Sequence, residues 1–409
     1  MVSLAKSKIA VIGAGVAGVT AAYWLARDGA SVTIYESERH PGMGTSRANG
    51  SQLSVCNSAT WNTWPTILKG MKWMFQKDAP FYINPWPSPD KIAWLARFAA
   101  VAARRESSAN TYKTIKMALD SRNALAEIVR AEGIVFDHVR RGIMHVYTSR
   151  SSLALASEMG NLMRSAGCDW QVIGPKEALE LEPSLAAGPS IAGAVMTSDD
   201  STGDLHLFTV GLASSLSKHH GVELRTGSPV GKIIPSKHGV VIDGEAYSDV
   251  VIASGTKANS MASLFGDRLG IYPVKGYSIT IDLESPEDQQ QAPWVSLLDE
   301  DAKIVCARLG SSRLRVAGTA ELAGHDLDIR SHRIKPLLSW TNRWFPGIST
   351  RSHCPWAGLR PMTPSMMPVV GRSRKEPHVW YHAGHGHLGW TLAPGTGRTL
   401  AQMMRDGSC

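Results

Sequence analysis

Residues 8–36 read K-I-A-V-I-G-A-G-V-A-G-V-T-A-A-Y-W-L-A-R-D-G-A-S-V-T-I-Y-E, and this stretch constrains the fold more than any other. The apolar run Ile9–Ile12 suits a buried parallel strand. Gly13, Gly15 and Gly18, with Ala14, Val16 and Ala17 between and around them, allow a tight turn, close approach of backbone to a pyrophosphate, and helix–strand packing. Ala22 and Leu25 fall on one face of the helix that follows, Gly29 ends it, and Val32 lies in a second strand closed by Glu36 and Ser37. A carboxylate at that point accepts from both ribose hydroxyls and disfavours a 2′-phosphate. The spacing predicts a β-α-β unit holding an ADP-containing dinucleotide, and leaves FAD and NAD both open.

A chain of 409 residues buries ample core and is long enough for two or three domains. Lys and Arg number 43 against 35 Asp and Glu, a net +8. That balance fits anionic substrates, an anionic membrane surface, or simply a solvated basic surface; no arginine-rich run or aromatic–basic module argues for nucleic acid. Cys56, Cys168, Cys306, Cys354 and Cys409 are widely spaced, without a CxxC or a Cys/His ligand pattern. They predict neither a disulfide framework nor a metal site, and a reducing compartment. The uncharged run Ile9–Ala26 has the length of a membrane span, but it contains the glycine turn and no A-x-A-like cleavage pattern follows. It is expected to be neither span nor signal peptide, and the protein to be cytoplasmic.

Beyond the first unit, a polar loop runs from Pro41 to Gly50. Residues 61–98 interleave Trp61, Trp64, Trp73, Trp86 and Trp94 with Lys69, Lys72, Lys77, Lys91 and Arg97. Apolar spacing over 109–132 predicts a helix with Gly133 as its C-cap. Ile134–Thr148 and Val222–Ile242 read as strands with turns, and Leu153–Ala166 and Leu205–Ser217 as helices. Ser248–Gly255 reads as a further buried strand ending in small residues. Tyr272–Leu283 and Lys303–Gly318 suit an antiparallel sheet, an expected substrate-binding wall. Gly384–Gly397 returns to a glycine-rich loop and a helix starting near Leu392.

Five blocks beyond the N-terminal fingerprint then carry a resemblance. The N-terminal fingerprint, T-S-R-A-N-G-S-Q-L-S at 45–54, L-K-G-M-K-W-M-F-Q-K-D-A-P at 68–80, Y-P-V-K-G-Y-S at 272–278, and W-A-G-L-R-P-M-T-P at 356–364 with G-H-G-H-L-G-W-T at 384–391 look like the small-subunit type of D-amino acid dehydrogenase. That family lies within the wider D-amino acid oxidase and glycine oxidase superfamily, and the similarity runs in order from residue 8 to about 403. It implies an α/β chain (α+β overall) in which a Rossmann-like FAD-binding domain (1–60, 195–265, 352–409) is interleaved with an antiparallel-sheet substrate domain (61–194, 266–351). The latter carries the Trp/Lys-rich segment at about 61–105. The resemblance also implies noncovalent FAD, since no cysteine stands just before the Thr-Pro pair; Cys354 lies further upstream. Oxidative deamination of a D-amino acid and electron delivery to a quinone or another non-oxygen acceptor follow from it as expectations. Three departures bear on the substrate: Thr363-Pro364-Ser365-Met366-Met367 stands where the family usually has T-P-D-G, Ser51 where it often has a second glycine, and Arg47 where a small or aromatic residue is common.

Moving hydride from Cα to a flavin requires a grip on the substrate carboxylate, which is the task of a bidentate cation. Arg360, in W-A-G-L-R-P, matches the arginine that does this in relatives. Tyr277 either donates a second hydrogen bond to the carboxylate or packs in the sheet with its hydroxyl at the rim. His385 is a candidate substrate contact. Gly384, Gly386, His387, Leu388, Gly389, Trp390 and Thr391 are expected around the flavin, with backbone N–H groups at a helix start stabilising negative charge on its N1–C2=O edge. His387 enters the catalytic set for that backbone role. Thr45, Ser46, Asn49, Gly50 and Gln52 are expected to wrap the flavin and ribityl chain, Val230 to meet adenine, Ser254 and Gly255 to pass the pyrophosphate or adenosine, and Gly358 to lie against the flavin.

The small-molecule partner is expected to be a D-amino acid, with D-proline or a hydroxy-D-proline a live alternative. An oxygen-using oxidase of glycine or N-methyl amino acids, and a flavin redox subunit without amino acid chemistry, are the competing readings. The Trp/Lys segment is either a peripheral membrane or acceptor-facing surface at the inner face of the cytoplasmic membrane, or a helical subdomain with its tryptophans turned inward.

Overall fold

In a computed structural model that describes residues 4–5, 7–73 and 80–407, the run Lys8–Ile12 is the centre of a six-stranded sheet. Ser31–Tyr35 and Asp249–Ile252 flank it in parallel, Glu223–Arg225 lies beyond the former, and Val379–Ala383 and then antiparallel Val369–Arg372 lie beyond the latter. Helices Val16–Arg27, Leu205–His219 and Gly389–Asp406 cover one face. Their apolar side chains form one core with Ile9, Val11, Val32 and Ile34. A three-stranded antiparallel sheet, Ile233–Ser236, Gly239–Ile242 and Glu245–Tyr247, packs on the other face.

A nine-stranded sheet forms the second wall. Its long strands Tyr272–Asp282, Arg313–Leu322 and His353–Met362 run antiparallel, with Tyr272–Asp282 in the middle of the three. Ile304–Leu309, Ser296–Asp299, Ile143–Tyr147, Gly193–Thr197 and Gln171–Ile173 continue it to one side. The short strand Phe81–Ile83 pairs with Arg313–Leu322 in parallel. Helix Ser331–Trp344 seals the back of this sheet through Ile334, Leu337, Trp340 and Trp344, which meet Tyr277, Ile279 and Ile281.

Gly193–Thr197 and His353–Met362 both pair in the second sheet, so the boundary expected at 195 cuts a strand and that at 352 sits just before one. Helix Ser107–Glu132 is capped by left-handed Gly133 as its spacing predicts. Ala124, Leu125 and Ile128 of that helix nevertheless pack into the core of the first sheet. Within Ile134–Thr148 only Ile143–Tyr147 is a strand; Ile134 and Phe136 join the first core instead. The last helix begins at Gly389, three residues before the expected start. The tryptophans of 61–98 divide: Trp94 is buried, Trp61 half-buried, and Trp64 and Trp86 are 50% and 78% exposed. Met74 to Ala79 of block 68–80, Lys77 among them, and Cys409 lie outside the described residues.

Candidate active site

Between the two sheets lies a cavity of about 1800 Å³. Pockets for one small ligand run to roughly 1,000 Å³, so this one holds a dinucleotide and still leaves space beside it.

One end is made by the β-α-β unit. Gly13, at φ +107°, turns the chain from the first strand toward helix Val16–Arg27, and a side chain there would strike the Ala253 carbonyl. Gly15 and Val16 open the helix on the cavity wall, where its positive end suits a pyrophosphate. Glu36 reaches back: its Oε2 accepts from the Ala14 amide at 2.7 Å and its Oε1 from the Glu38 amide at 2.9 Å. Ser37, Val230, Ser254 and Gly255 border the same end, as does Ala17. Two expected contacts are not on the wall. Ala14 is fully buried, and Gly18 lies against the Gly13 carbonyl, so it serves the turn's packing and not the ligand.

Thr45, Ser46, Asn49, Gly50 and Gln52 line the middle. They are tied to both walls: Ser46 Oγ accepts from the Val16 amide, Thr45 Oγ1 donates to the Leu359 carbonyl, and Arg315 donates to the Asn49 carbonyl. The Gln52 amide donates to Ser296 Oγ and the Leu297 carbonyl, so its side chain turns to the second sheet. Ser51 takes φ +62°, a conformation glycine favours, with its amide held by Asn49 Oδ1 at 3.1 Å. Buried Asp200 anchors the next turn through Ser54 Oγ and the Val55 and Cys56 amides. Burial pushes its carboxyl pKa up.

Arg360 stands on strand His353–Met362 opposite Val274, and both side chains share the face turned to the cavity. Its guanidinium lies flat over Gly276, where an added Cβ would sit 2.6 Å from Cζ. Nη1 donates to the Thr319 carbonyl at 2.9 Å and more weakly to the Lys275 carbonyl at 3.5 Å. Thr319 itself sits at φ +64° beside an irregularity in the strand pairing opposite Gly276, which aims its carbonyl at the arginine. No carboxylate among the described residues pairs with Arg360, and burial lowers its pKa to about 10. It is a cation still charged at neutral pH, half-buried and held by two main-chain oxygens. Gly358 lies two residues before it on the same wall, under the Trp356 ring.

Strand alternation moves Tyr277 the other way. With Gly276 facing the cavity, Tyr277 joins the back of the sheet, and its hydroxyl donates toward Glu321 Oε2 at 3.2 Å and the Asp328 carbonyl at 3.4 Å. Burial and the neighbouring Glu321 charge push its pKa up. Tyr277 therefore offers no hydroxyl for a substrate carboxylate, contrary to the expectation. His385 is also turned away. His382 Nδ1–H donates to the Ala17 carbonyl, which leaves its neutral Nε2 to accept from Thr396 Oγ1. His385 Nε2–H then donates to the same Thr396 oxygen at 2.9 Å. Its ring is fixed in this buried chain and is not presented to a substrate.

His387 faces the cavity, near Arg360 and 6.3 Å from the Trp61 ring. Burial, then the Arg360 charge, lowers its pKa to about 4, against a bond to the Asn57 backbone, so it is neutral. Gly384, Gly386, Leu388, Gly389, Trp390 and Thr391 border the cavity around the start of helix Gly389–Asp406. The Trp390 indole packs on Phe208 and Phe136 in the core, and Thr391 Oγ1 accepts from the Ser54 amide.

A dinucleotide end, a glycine-rich loop at a helix start and a second sheet that presents to the cavity an arginine with no acidic partner among the described residues together make the arrangement of a flavoenzyme. The FAD dependent oxidoreductase family model matches residues 8–403. The chain belongs to this family. The D-amino acid dehydrogenase 3 of Mesorhizobium japonicum is 45% identical over 404 residues, 97% of each chain. The D-amino acid dehydrogenase of Paramagnetospirillum magneticum is 38% identical, over 97% of this chain and 94% of its own. Glycine oxidase from Geobacillus kaustophilus superposes with a TM-score of 0.74 at 22% identity, covering 99% of this chain and 96% of its own. L-Proline dehydrogenase from P. horikoshii gives the same TM-score at 18% identity, over 99% and 95%. The cofactor is FAD, and the cavity fits it: its glycine turn and helix start suit a pyrophosphate, a carboxylate at Glu36 stands on the same wall, and its volume exceeds that of a single small ligand.

Two contributors were not singled out from the sequence. Gly276 carried a signal, since a glycine inside a strand marks a close approach. Thr319 carried none; its backbone, not its side chain, does the holding.

Proposed function

We propose that this flavoprotein oxidises D-amino acids and passes the electrons to a quinone or another acceptor in preference to oxygen. The observation that carries the reading is Arg360, a cation without an acidic partner among the described residues, open to the cavity beside the glycine-rich loop. The names of the similar dehydrogenases support it. Bound FAD supplies the hydride acceptor. Arg360 fixes the carboxylate in a bidentate grip through the guanidinium edge that Thr319 and Lys275 do not use. Loss of the Cα hydrogen with its electron pair from the neutral amine leaves an iminium, which gives up a proton to solvent as the imine and is hydrolysed by water to a 2-oxo acid and ammonia; D-proline or a hydroxy-D-proline would stop at the cyclic imine. The N–H groups at the start of helix Gly389–Asp406 stabilise the negative charge this delivers. His387, neutral and bonded to Asn57, is no proton shuttle; the substrate amine binds already neutral.

Among the described residues no helix is long and apolar enough to cross a membrane. Exposed Trp64, Leu68 and Met71, at helical spacing on Trp64–Trp73 with Lys69 and Lys72 beside them, form a surface suited to resting on anionic lipid. Cell fractionation should then place part of the protein in the membrane pellet, released by salt.

The decisive variant is Arg360→Ala. It should keep FAD and lose flavin bleaching by D-amino acids under anaerobic conditions; undiminished bleaching overturns the assignment. Oxygen consumption during turnover would instead favour the oxidase reading.

A further inference from the structure

We infer that the preferred amino acids carry large apolar side chains, received by the arm of the cavity that begins at Arg360; this rests on the D-amino acid reading above. The arm's floor is a continuous stretch of the second sheet. Val274 stands opposite Arg360, and Ala320 and Leu322 follow Thr319 along the next strand. Phe81 and Ile83 pair with Ala320 and Leu322 and extend the apolar face by one more strand. Trp61 closes the opposite side, between the His387 ring at 6.3 Å and the Phe98 ring at 5.7 Å. A substrate gripped at Arg360 with its Cα toward the flavin has this arm as the space for its side chain.

The wall is built, not incidental. The Trp61 amide donates to Met366 Sδ at 3.2 Å, and Asn62 donates to the Pro364 carbonyl at 3.1 Å, so the 363–367 turn pins the tryptophan. Met366 holds φ +63°, which glycine would adopt without strain, and its buried side chain packs in the same cluster as Phe98, Val274 and Leu322. The backbone strain at a non-glycine residue is kept because its side chain supports this wall. The charged or titratable groups beside these residues are Arg360 and neutral His387 at the start of the arm, Lys69, stacked over the Trp73 ring, and exposed His325; none stands among the apolar floor residues. A carboxylate or ammonium held against that floor would lose its water with no partner among the floor residues.

The test follows anaerobic flavin reduction in the purified FAD-loaded protein with D-Phe, D-Leu, D-Met, D-Pro, D-Ala, D-Asp and D-Lys. Specificity for D-Phe, D-Leu and D-Met should exceed that for D-Ala by about tenfold or more, the scale at which apolar pockets discriminate, with D-Asp and D-Lys lower still. Trp61→Ala and Met366→Gly should each shrink the D-Phe to D-Ala ratio about tenfold. Reduction by D-Ala, D-Asp or D-Lys faster than by the apolar set overturns the inference while leaving D-amino acid oxidation intact. Failure of every D-amino acid overturns the function itself. If Trp61→Ala slows reoxidation by a quinone analogue and leaves the substrate ratio unchanged, the arm receives the acceptor and the inference is wrong.

Discussion

Gly276→Ala tests the arginine cradle without touching the arginine. An ideal Cβ at position 276 falls 2.6 Å from Arg360 Cζ, well inside the 3.0 Å that real Cβ atoms keep. What must yield is the end of a flexible side chain, while the backbone at 276 has no left-handed φ to forbid alanine. The fold and FAD binding should therefore survive while the guanidinium swings off the Thr319 and Lys275 carbonyls. A charge-assisted hydrogen-bonded grip contributes about 1.5–3 kcal/mol, so carboxylate affinity should fall roughly 10- to 150-fold. The assay is titration of an aromatic carboxylate that binds without reacting, read as perturbation of the flavin's visible band, beside D-amino acid saturation kinetics. The loss should appear in the carboxylate Kd and in KM more than in the limiting reduction rate. Wild-type affinity in a folded, yellow Gly276→Ala protein would falsify the cradle as described.

Three further outcomes are expected. His382 and His387 have pKa values lowered to about 4 by burial, from an ordinary 6.5, and that of His385 lies well below 6.5. The unfolded chain then binds more protons than the folded one between those values, so stability is complete above pH 6.5 and declines as pH falls toward 4. Melting curves of the holoprotein should show it, and a flat Tm across that window would contradict the buried neutral histidines. Ser51→Gly relieves a left-handed serine costing about 1–2 kcal/mol, against roughly 0.5–1 kcal/mol of glycine entropy. It should raise stability in denaturant by up to about 1 kcal/mol, and a lower midpoint would mean that the serine is not strained. Cys354 is exposed and does not border the cavity. Denaturing precipitation should therefore leave yellow flavin in the supernatant; colour in the pellet would reveal a covalent link.

The β-α-β unit was legible because every one of its signals is local: strand, glycine turn, helix and acid follow within thirty residues. The helix 107–132 and its glycine cap were legible for the same reason. Tyr277 was not, because alternation along a strand says which residues share a face but not which face meets the cavity. That parity is set by the pairing of Gly276 with Gly358, far away in the chain. His385 and His387 are two residues apart with opposite fates, decided by whether Thr396 or Asn57 lies within reach. The expected FAD-binding segment 352–409 takes in the strand His353–Met362. Its partner Tyr272–Asp282 shows that Arg360 belongs to the opposite wall.

Counted along the chain, strands of the first sheet fall before residue 36, between 223 and 252, and after 369, and strands of the second fill the intervals. The polypeptide crosses the cleft repeatedly, and the cofactor's cradle is stitched from all three passes. No single cut leaves the first sheet whole, so the dinucleotide-binding wall is not a module that can be excised in one piece. Nor does the chain have one hinge about which its walls could part. Four connections join the two walls, so any movement of one wall against the other would strain all four at once.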